Sequence, residues 1–176
     1  TSGGLGSPVV EKATVCVDCP AGYKTSSSTM IMCQACDAGK TSFMGASYCM
    51  SCIAGSYSNA GQSPCSKCTS GTYSNASASS CLNCAVGKVS IVSGFTACDE
   101  CTAGGYCPAG AVAPTPCDTG SYSAATGNTE QGHCTECPAG SFCAAGSTAH
   151  TPCFAGNAQP RRGQGSCVKC TAGTYQ

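Results

Sequence analysis

Cysteine recurs in this chain as a pair, Cys-x-x-Cys, on a fixed beat. The pairs Cys33/Cys36, Cys49/Cys52, Cys65/Cys68 and Cys81/Cys84 return every 16 residues. A fixed short period is the signature of a repeat array, and no other feature of the chain constrains its fold as strongly. The third residue after a pair is Gly, at Gly39, Gly55, Gly71 and Gly87, and the same Gly recurs at Gly22, Gly104, Gly120, Gly140, Gly156 and Gly173. It suits a turn with positive φ or a close approach to sulfur. Two residues on stands an aromatic in many units: Tyr57, Tyr73, Tyr106, Tyr122, Phe142 and Tyr175. These rings are expected to lie over neighbouring disulfides and to provide most of each unit's apolar burial. A second turn, often with Gly (Gly45, Gly61, Gly94, Gly127, Gly163), brings the chain back to the next Cys. Each unit therefore reads as a small β-hairpin. No capped apolar run with a 3.6-residue period appears. The expected fold is a small disulfide-rich repeat array, an elongated rod of short β-hairpin units with almost no helix.

The array must be held by something other than an apolar core. Leu, Ile, Val and Phe number only 18 in 176 residues, and there is no Trp. Such a chain cannot offset its ordering entropy by burial. Cysteine makes up about 11% of it, which marks a disulfide scaffold and an oxidising, extracellular compartment. Eight Lys/Arg against eight Asp/Glu leave no net charge. No basic stripe points to nucleic acid, and no apolar run is long enough for a membrane span.

In chain order, residues 1–15 form an N-terminal segment that is expected to complete a neighbouring unit, and Val9 to Val17 is the most strand-like run. Residues 16–100 hold the regular repeats of 16 to 17 residues. Residues 101–176 hold longer variants: CTAGGYCPAGAVAPTPC (101–117) and CPAGSFCAAGSTAHTPC (137–153) carry what read as extra cysteines, Cys107/Cys117 and Cys143/Cys153. No composition break marks a linker, so one continuous array is expected.

The spacing Cys-x2-Cys-x12-Cys-x2-Cys also fits four-Cys zinc sites. Spacers of Ser, Thr, Gly and Ala, and pairs shared between neighbouring units, argue for disulfides. The repeat suggests that the second Cys of a pair bonds the first Cys of the next. That gives Cys19–Cys33, Cys36–Cys49, Cys52–Cys65, Cys68–Cys81 and Cys84–Cys98, with Cys117–Cys134 and Cys153–Cys167 in the long units. The variants leave two schemes open. One adds the small loops Cys101–Cys107 and Cys137–Cys143. The other interleaves Cys101–Cys117 with Cys107–Cys134, and Cys137–Cys153 with Cys143–Cys167. Both leave Cys16 and Cys170 over as inter-unit or inter-chain candidates. Gln176 read on into Thr1 resembles one more unit, so partners are expected to be copies of the chain, head to tail, or further repeats of the same polypeptide.

The units CPAGSF, CTAGTY and CTSGTYS, each closed by Cys-x-x-Cys, resemble the cysteine-rich repeats of ephrin receptors. They are also similar to the first submodule of tumour-necrosis-factor receptor domains and to Cys-x-x-Cys repeats of protist surface proteins. The resemblance covers about residues 16 to 176. It implies an extracellular or cell-surface, disulfide-laddered rod. The long regular run and the charge-poor loops depart from vertebrate receptors and favour a protist or algal structural protein. The expected function is a segment or subunit of a filament, surface hair or coat; the alternative is the stalk or ligand-binding ectodomain of a surface receptor.

Residues with independent chemistry are few. His133 and His150, the only histidines, belong to no nucleophile or metal pattern and read as exposed loop residues. Cys-x-x-Cys as a redox motif normally occurs once, beside a βαβ pattern, not as a ladder. No enzyme activity, cofactor or metal is expected. Asp99-Glu100 is the one adjacent acidic pair, and Arg161-Arg162 reads as a solvated loop pair. Asn75-Ala76-Ser77 is an N-glycosylation sequon in a loop, so a glycan on Asn75 is expected.

Overall fold

The computed structural model describes residues 16–25 and 32–174. Segment 1–15, with most of the strand-like run from Val9, lies outside the described residues, as does Tyr175. Cys16 and Val17 are described and form no strand.

The described chain is a series of nine two-stranded antiparallel hairpins. In order they pair Tyr23–Thr25 with Cys33–Ala35, Lys40–Thr41 with Met50–Ser51, Ser56–Tyr57 with Ser66–Lys67, Thr72–Tyr73 with Leu82–Asn83, and Lys88–Val89 with Asp99–Glu100. There follow Gly105–Tyr106 with Thr115–Pro116, Ser121–Tyr122 with Thr135–Glu136, Ser141–Phe142 with Thr151–Pro152, and Asn157–Ala158 with Val168–Lys169. The helical content among the described residues is one 3-10 turn, Gln131–His133. From Cys33 onward, the two residues inside each Cys-x-x-Cys belong to a returning strand, and in the sixth and eighth hairpins Thr115–Pro116 and Thr151–Pro152 take that place, which is why strands are so short.

An isolated hairpin of this size has no independent stability in water. Each one here carries a single disulfide. Seven close the hairpin from its first Cys to the Cys just before the return strand: Cys19–Cys33, Cys36–Cys49, Cys52–Cys65, Cys68–Cys81, Cys84–Cys98, Cys117–Cys134 and Cys153–Cys167. Each constrains the unfolded chain by about 3 kcal/mol in the loop-entropy model. The sixth and eighth hairpins instead hold Cys101–Cys107 and Cys137–Cys143. The two sulfurs of one Cys-x-x-Cys thus go to different hairpins, so a pair does not present itself as two ligands for one metal.

The geometry shows why the variants choose the small loop. In the regular third hairpin, Ser58 is fully buried and its Oγ lies 3.3 Å from Cys52 Sγ. Cys107 and Cys143 occupy that Ser position, six residues after the first Cys. Pro114 and His150 stand where the closing Cys belongs. The variant cysteines are therefore not extra: each hairpin keeps one bridge, moved from the strand end to the buried Ser site.

Neighbouring hairpins are joined by main-chain hydrogen bonds that repeat with the sequence. The turn glycine donates to the buried position of the next hairpin, as in Gly39 N to Ser58 O (2.8 Å), Gly55 N to Ser74 O (2.9 Å) and Gly71 N to Ser90 O (2.8 Å). The second turn donates back to the first Cys of the hairpin before it, as in Gly61 N to Cys36 O and Gly94 N to Cys68 O. Buried serines add a second link: Ser42 Oγ donates to Tyr23 O and Ser58 Oγ to Lys40 O, at 2.7 and 2.8 Å.

Contact reaches one unit further through the turn glycine. Gly22, Gly39, Gly55, Gly71, Gly87, Gly104 and Gly120 have φ between 76° and 90°, and each faces a carbonyl in the second turn of the hairpin two places on. The expected close approach is thus to a backbone oxygen, not to sulfur. Each hairpin binds the next and touches the one after, which builds an elongated array of quasi-one-dimensional stability.

The interior of this array is mostly sulfur and small polar side chains, with Val89 and Ala111 packed beside Cys101 and Cys107. Cys36, Cys52, Cys68, Cys84, Cys101, Cys107, Cys117, Cys137 and Cys143 are buried, with Ser42, Ser58, Ser74, Ser90 and Ser123 among them. Here the reading of the aromatics needs correcting. Tyr57, Tyr73, Tyr106, Tyr122 and Phe142 are only half-buried. The rings keep part of their surface in solvent, and the half-cystines supply the deepest burial.

Candidate functional site

A backbone-coupled stack leaves one part of each hairpin free to vary, the tip just after the buried Ser or Cys. Aligned on that residue, the tips read Phe43-Met44, Asn59-Ala60, Asn75-Ala76, Ile91-Val92, Pro108-Ala109 and Ala144-Ala145, each followed at once or after one residue by a left-handed turn. All twelve are exposed. Recognition residues belong on such rigidly mounted loops.

The tips differ in chemistry. The second hairpin is apolar: Phe43 and Met44 are 74% and 71% exposed, and with Ala46, Tyr48 and Met50 they line a shallow depression of about 240 Å³. The fifth is also apolar, with Ile91 and Val92 exposed. Attention to the repeated aromatic position missed these residues. Their signal was Phe-Met or Ile-Val where other tips carry Asn-Ala. The fourth tip carries Asn75, exposed, as are Ala76 and Ser77.

The remaining polar residues are spread out. His133 ends the 3-10 turn, where its Nδ1 accepts from Thr129 N at 3.3 Å. His150 is exposed, yet its Nδ1 lies 3.1 Å from Ser141 Oγ and its ring meets Tyr122 edge-on at 5.7 Å. Ser141 opens the first strand of the eighth hairpin and His150 directly precedes the second, and this contact links the two sides of the hairpin. Asp99 and Glu100 form an exposed return strand. Arg162 pairs loosely with Glu136 at 3.8 Å and both are exposed. Among the described residues, no group of three His, Cys, Asp or Glu is placed to hold a metal ion. Among them, too, no helix is long and apolar enough to cross a membrane. Cys16 is exposed, Cys170 is half-buried, and both are free thiols.

Residues 55–101 match the family described as tyrosine-protein kinase ephrin type A/B receptor-like. The match runs from the turn glycine of the third hairpin to the first Cys of the sixth and contains two whole regular disulfides, Cys68–Cys81 and Cys84–Cys98. Among curated proteins none matches the chain. The repeats are cysteine-rich, receptor-like units, and their disulfide density suits an extracellular setting.

Proposed function

We propose that this chain is a segment or subunit of an extracellular filament, surface hair or coat, acting as a stiff, protease-resistant rod and not as an enzyme. The observation that carries this reading is the uniformity of the coupling. The same turn glycine and the same main-chain bonds recur from hairpin to hairpin, with a buried Ser or Cys at the same position from the second hairpin to the eighth, so load passes along the chain through main-chain bonds and disulfides. Copies of the chain, or further repeats of the same polypeptide, are its partners, with Cys16 and Cys170 as the inter-unit half-cystines. An exposed thiol in an oxidising compartment readily finds a partner. Low-dose electron microscopy of the native source material tests this: filaments that shorten under reducing agent support it, and isolated particles overturn it.

One observation favours a second reading, the stalk or ligand-binding ectodomain of a surface receptor. Phe43, Met44 and Tyr48 form an exposed apolar cluster of the kind that anchors binding interfaces. Under that reading, Phe43→Ser with Met44→Ser abolishes capture of a soluble ligand and leaves assembly unchanged. Under the structural reading no soluble ligand is captured.

A further inference from the structure

The third and fourth hairpins are near copies: Tyr57-Ser58-Asn59-Ala60-Gly61 against Tyr73-Ser74-Asn75-Ala76-Ser77. They differ, in this stretch, only at the last residue. Gly61 has φ 72° and Ser77 has φ 61°. Ser77 is the one non-glycine residue with positive φ among the described residues. The second turns of the other hairpins, where described, use Gly45, Gly61, Gly94, Gly110, Gly127, Gly146 and Gly163 in the same conformation. The backbone at this position asks for glycine, because a Cβ there crowds the following carbonyl. Ser77 is not compensated by the described residues: its side chain is exposed and makes no hydrogen bond among them, while its N–H makes the bond to Cys52 O that glycine makes elsewhere. What the serine does create is Asn75-Ala76-Ser77, a sequon absent from the neighbouring copy.

We infer that Asn75 is an N-glycosylation site and that Ser77 is kept in a strained turn to specify it. The geometry suits a bulky substituent. Asn75 sits at a hairpin tip, pointing away from the ladder of buried sulfur. Ser74, just before it, is buried and holds Ser56 O at 3.1 Å, so the base of the tip is fixed while the tip itself is open. The neighbouring tip is tied differently: Asn59 N donates to Gln62 Oε1 at 2.9 Å, where the fourth hairpin has Ala78. In the reaction, Asn75 Nδ2 displaces the diphosphate of a polyprenyl-diphosphate-linked oligosaccharide at its anomeric carbon. The new bond is N–C1; the C1–O bond to the diphosphate breaks; the amide proton leaves with the released polyprenyl diphosphate. The sugar extends laterally from the array, where it hydrates the rod and restricts lateral approach of proteases.

This inference rests on the extracellular reading, and the experiment separates the two. The full chain is purified after passage through a eukaryotic secretory pathway, as wild type, as Ser77→Gly and as Gly61→Ser. Glycopeptide mass spectrometry reads the fourth and third tips, and non-reducing peptide mapping reads the disulfides of the same samples. The expected wild type carries a glycan on Asn75 and none on Asn59. Ser77→Gly loses the glycan and keeps all bridges, since it restores the residue the turn prefers. Gly61→Ser gains a glycan on Asn59; a Cβ there meets the hydroxyl of Tyr23 at 3.3 Å, a side-chain end able to shift. A bare Asn75 in wild type with bridges formed overturns the glycan site alone. Asn75 bare in a chain of free thiols overturns the extracellular reading with it. A glycan retained on Asn75 in Ser77→Gly overturns the role given to Ser77.

Discussion

Two substitutions that look equivalent in sequence should differ sharply in the folded array. Gly71 and Gly156 occupy the same place after a Cys-x-x-Cys and have nearly the same φ, 78° and 80°. Alanine at either costs about 1–2 kcal/mol for its left-handed backbone. At Gly156 the added methyl meets nothing within 4 Å. At Gly71 it runs into Gly110 O, main chain of the hairpin two places on, and lies 3.1 Å from Val112 Cγ1. A backbone carbonyl cannot rotate away as a side chain can, so a further overpacking cost of about 1–3 kcal/mol is expected. The totals are about 2–5 kcal/mol for Gly71→Ala and about 1–2 kcal/mol for Gly156→Ala. Since every 1.4 kcal/mol is about tenfold, local opening should rise roughly 30-fold to several-thousand-fold in the first and roughly 5- to 30-fold in the second. Native-state hydrogen exchange reads this amide by amide. The reporters are Cys84 N, which donates to Gly71 O, Gly110 N, which donates to Cys84 O, and Cys170 N, which donates to Gly156 O. Gly71→Ala should accelerate both Cys84 and Gly110, although Gly110 is 39 residues away in sequence. Equal acceleration in the two variants, or an unaffected Gly110, would refute the reasoning that successive hairpins lock through this glycine.

Four shorter predictions follow from the same geometry. Non-reducing peptide mapping should recover Cys101–Cys107 and Cys137–Cys143 as separate small loops; Cys101 linked to Cys117 would overturn the account of the variant hairpins. The double variant Cys107→Ser with Pro114→Cys should fold with its bridge moved to position 114, and the longer loop should add about 0.7 kcal/mol by loop-closure entropy, read as a higher denaturation midpoint. Ser58→Ala removes the bond to Lys40 O and should lower stability by about 0.5–1.5 kcal/mol in the same assay, whereas Glu136→Gln, acting on an exposed pair, should change it by less than about 1 kcal/mol. Small-angle scattering should give a radius of gyration well above the roughly 16 Å of a compact chain of this length.

The hairpin ladder was legible because cysteine marks its own period, and the regular repeat suggested one pairing rule. That rule left the variant hairpins open, and the deciding clue was alignment of a different residue. Gly55-Ser56-Tyr57-Ser58 and Gly104-Gly105-Tyr106-Cys107 show the buried Ser replaced by Cys. Cys65-Ser66-Lys67-Cys68 and Pro114-Thr115-Pro116-Cys117 show the closing Cys lost. Read together they move one bridge; counted as cysteines alone they look like an addition. The contact between Gly71 and Gly110 was not legible, because spacing gives the period of a repeat but not the rise and rotation that bring every second unit together. The aromatics misled for a related reason. Their regular position marks them as structural, but a period in sequence does not say how deeply a ring is buried.

The buried positions also bear on how such a chain diversifies. They hold mainly half-cystines and Ser, with Val89, Ala111, Asn128 and Gln159 beside them, and most links between hairpins are main-chain groups. Almost any side chain is then compatible with the fold at a tip, provided the next turn can take positive φ. The tips Phe43-Met44, Asn75-Ala76 and Ile91-Val92 are apolar, sequon-bearing and apolar again, on hairpins that share one ladder. A change of tip therefore alters what the rod presents without altering the rod, and Ser77 is informative because it breaks that separation. It is a tip motif that intrudes on a backbone position and strains it, so its presence finds no reason in the fold. The proposed glycan supplies one, and the Asn59 copy shows that the hairpin forms with glycine there.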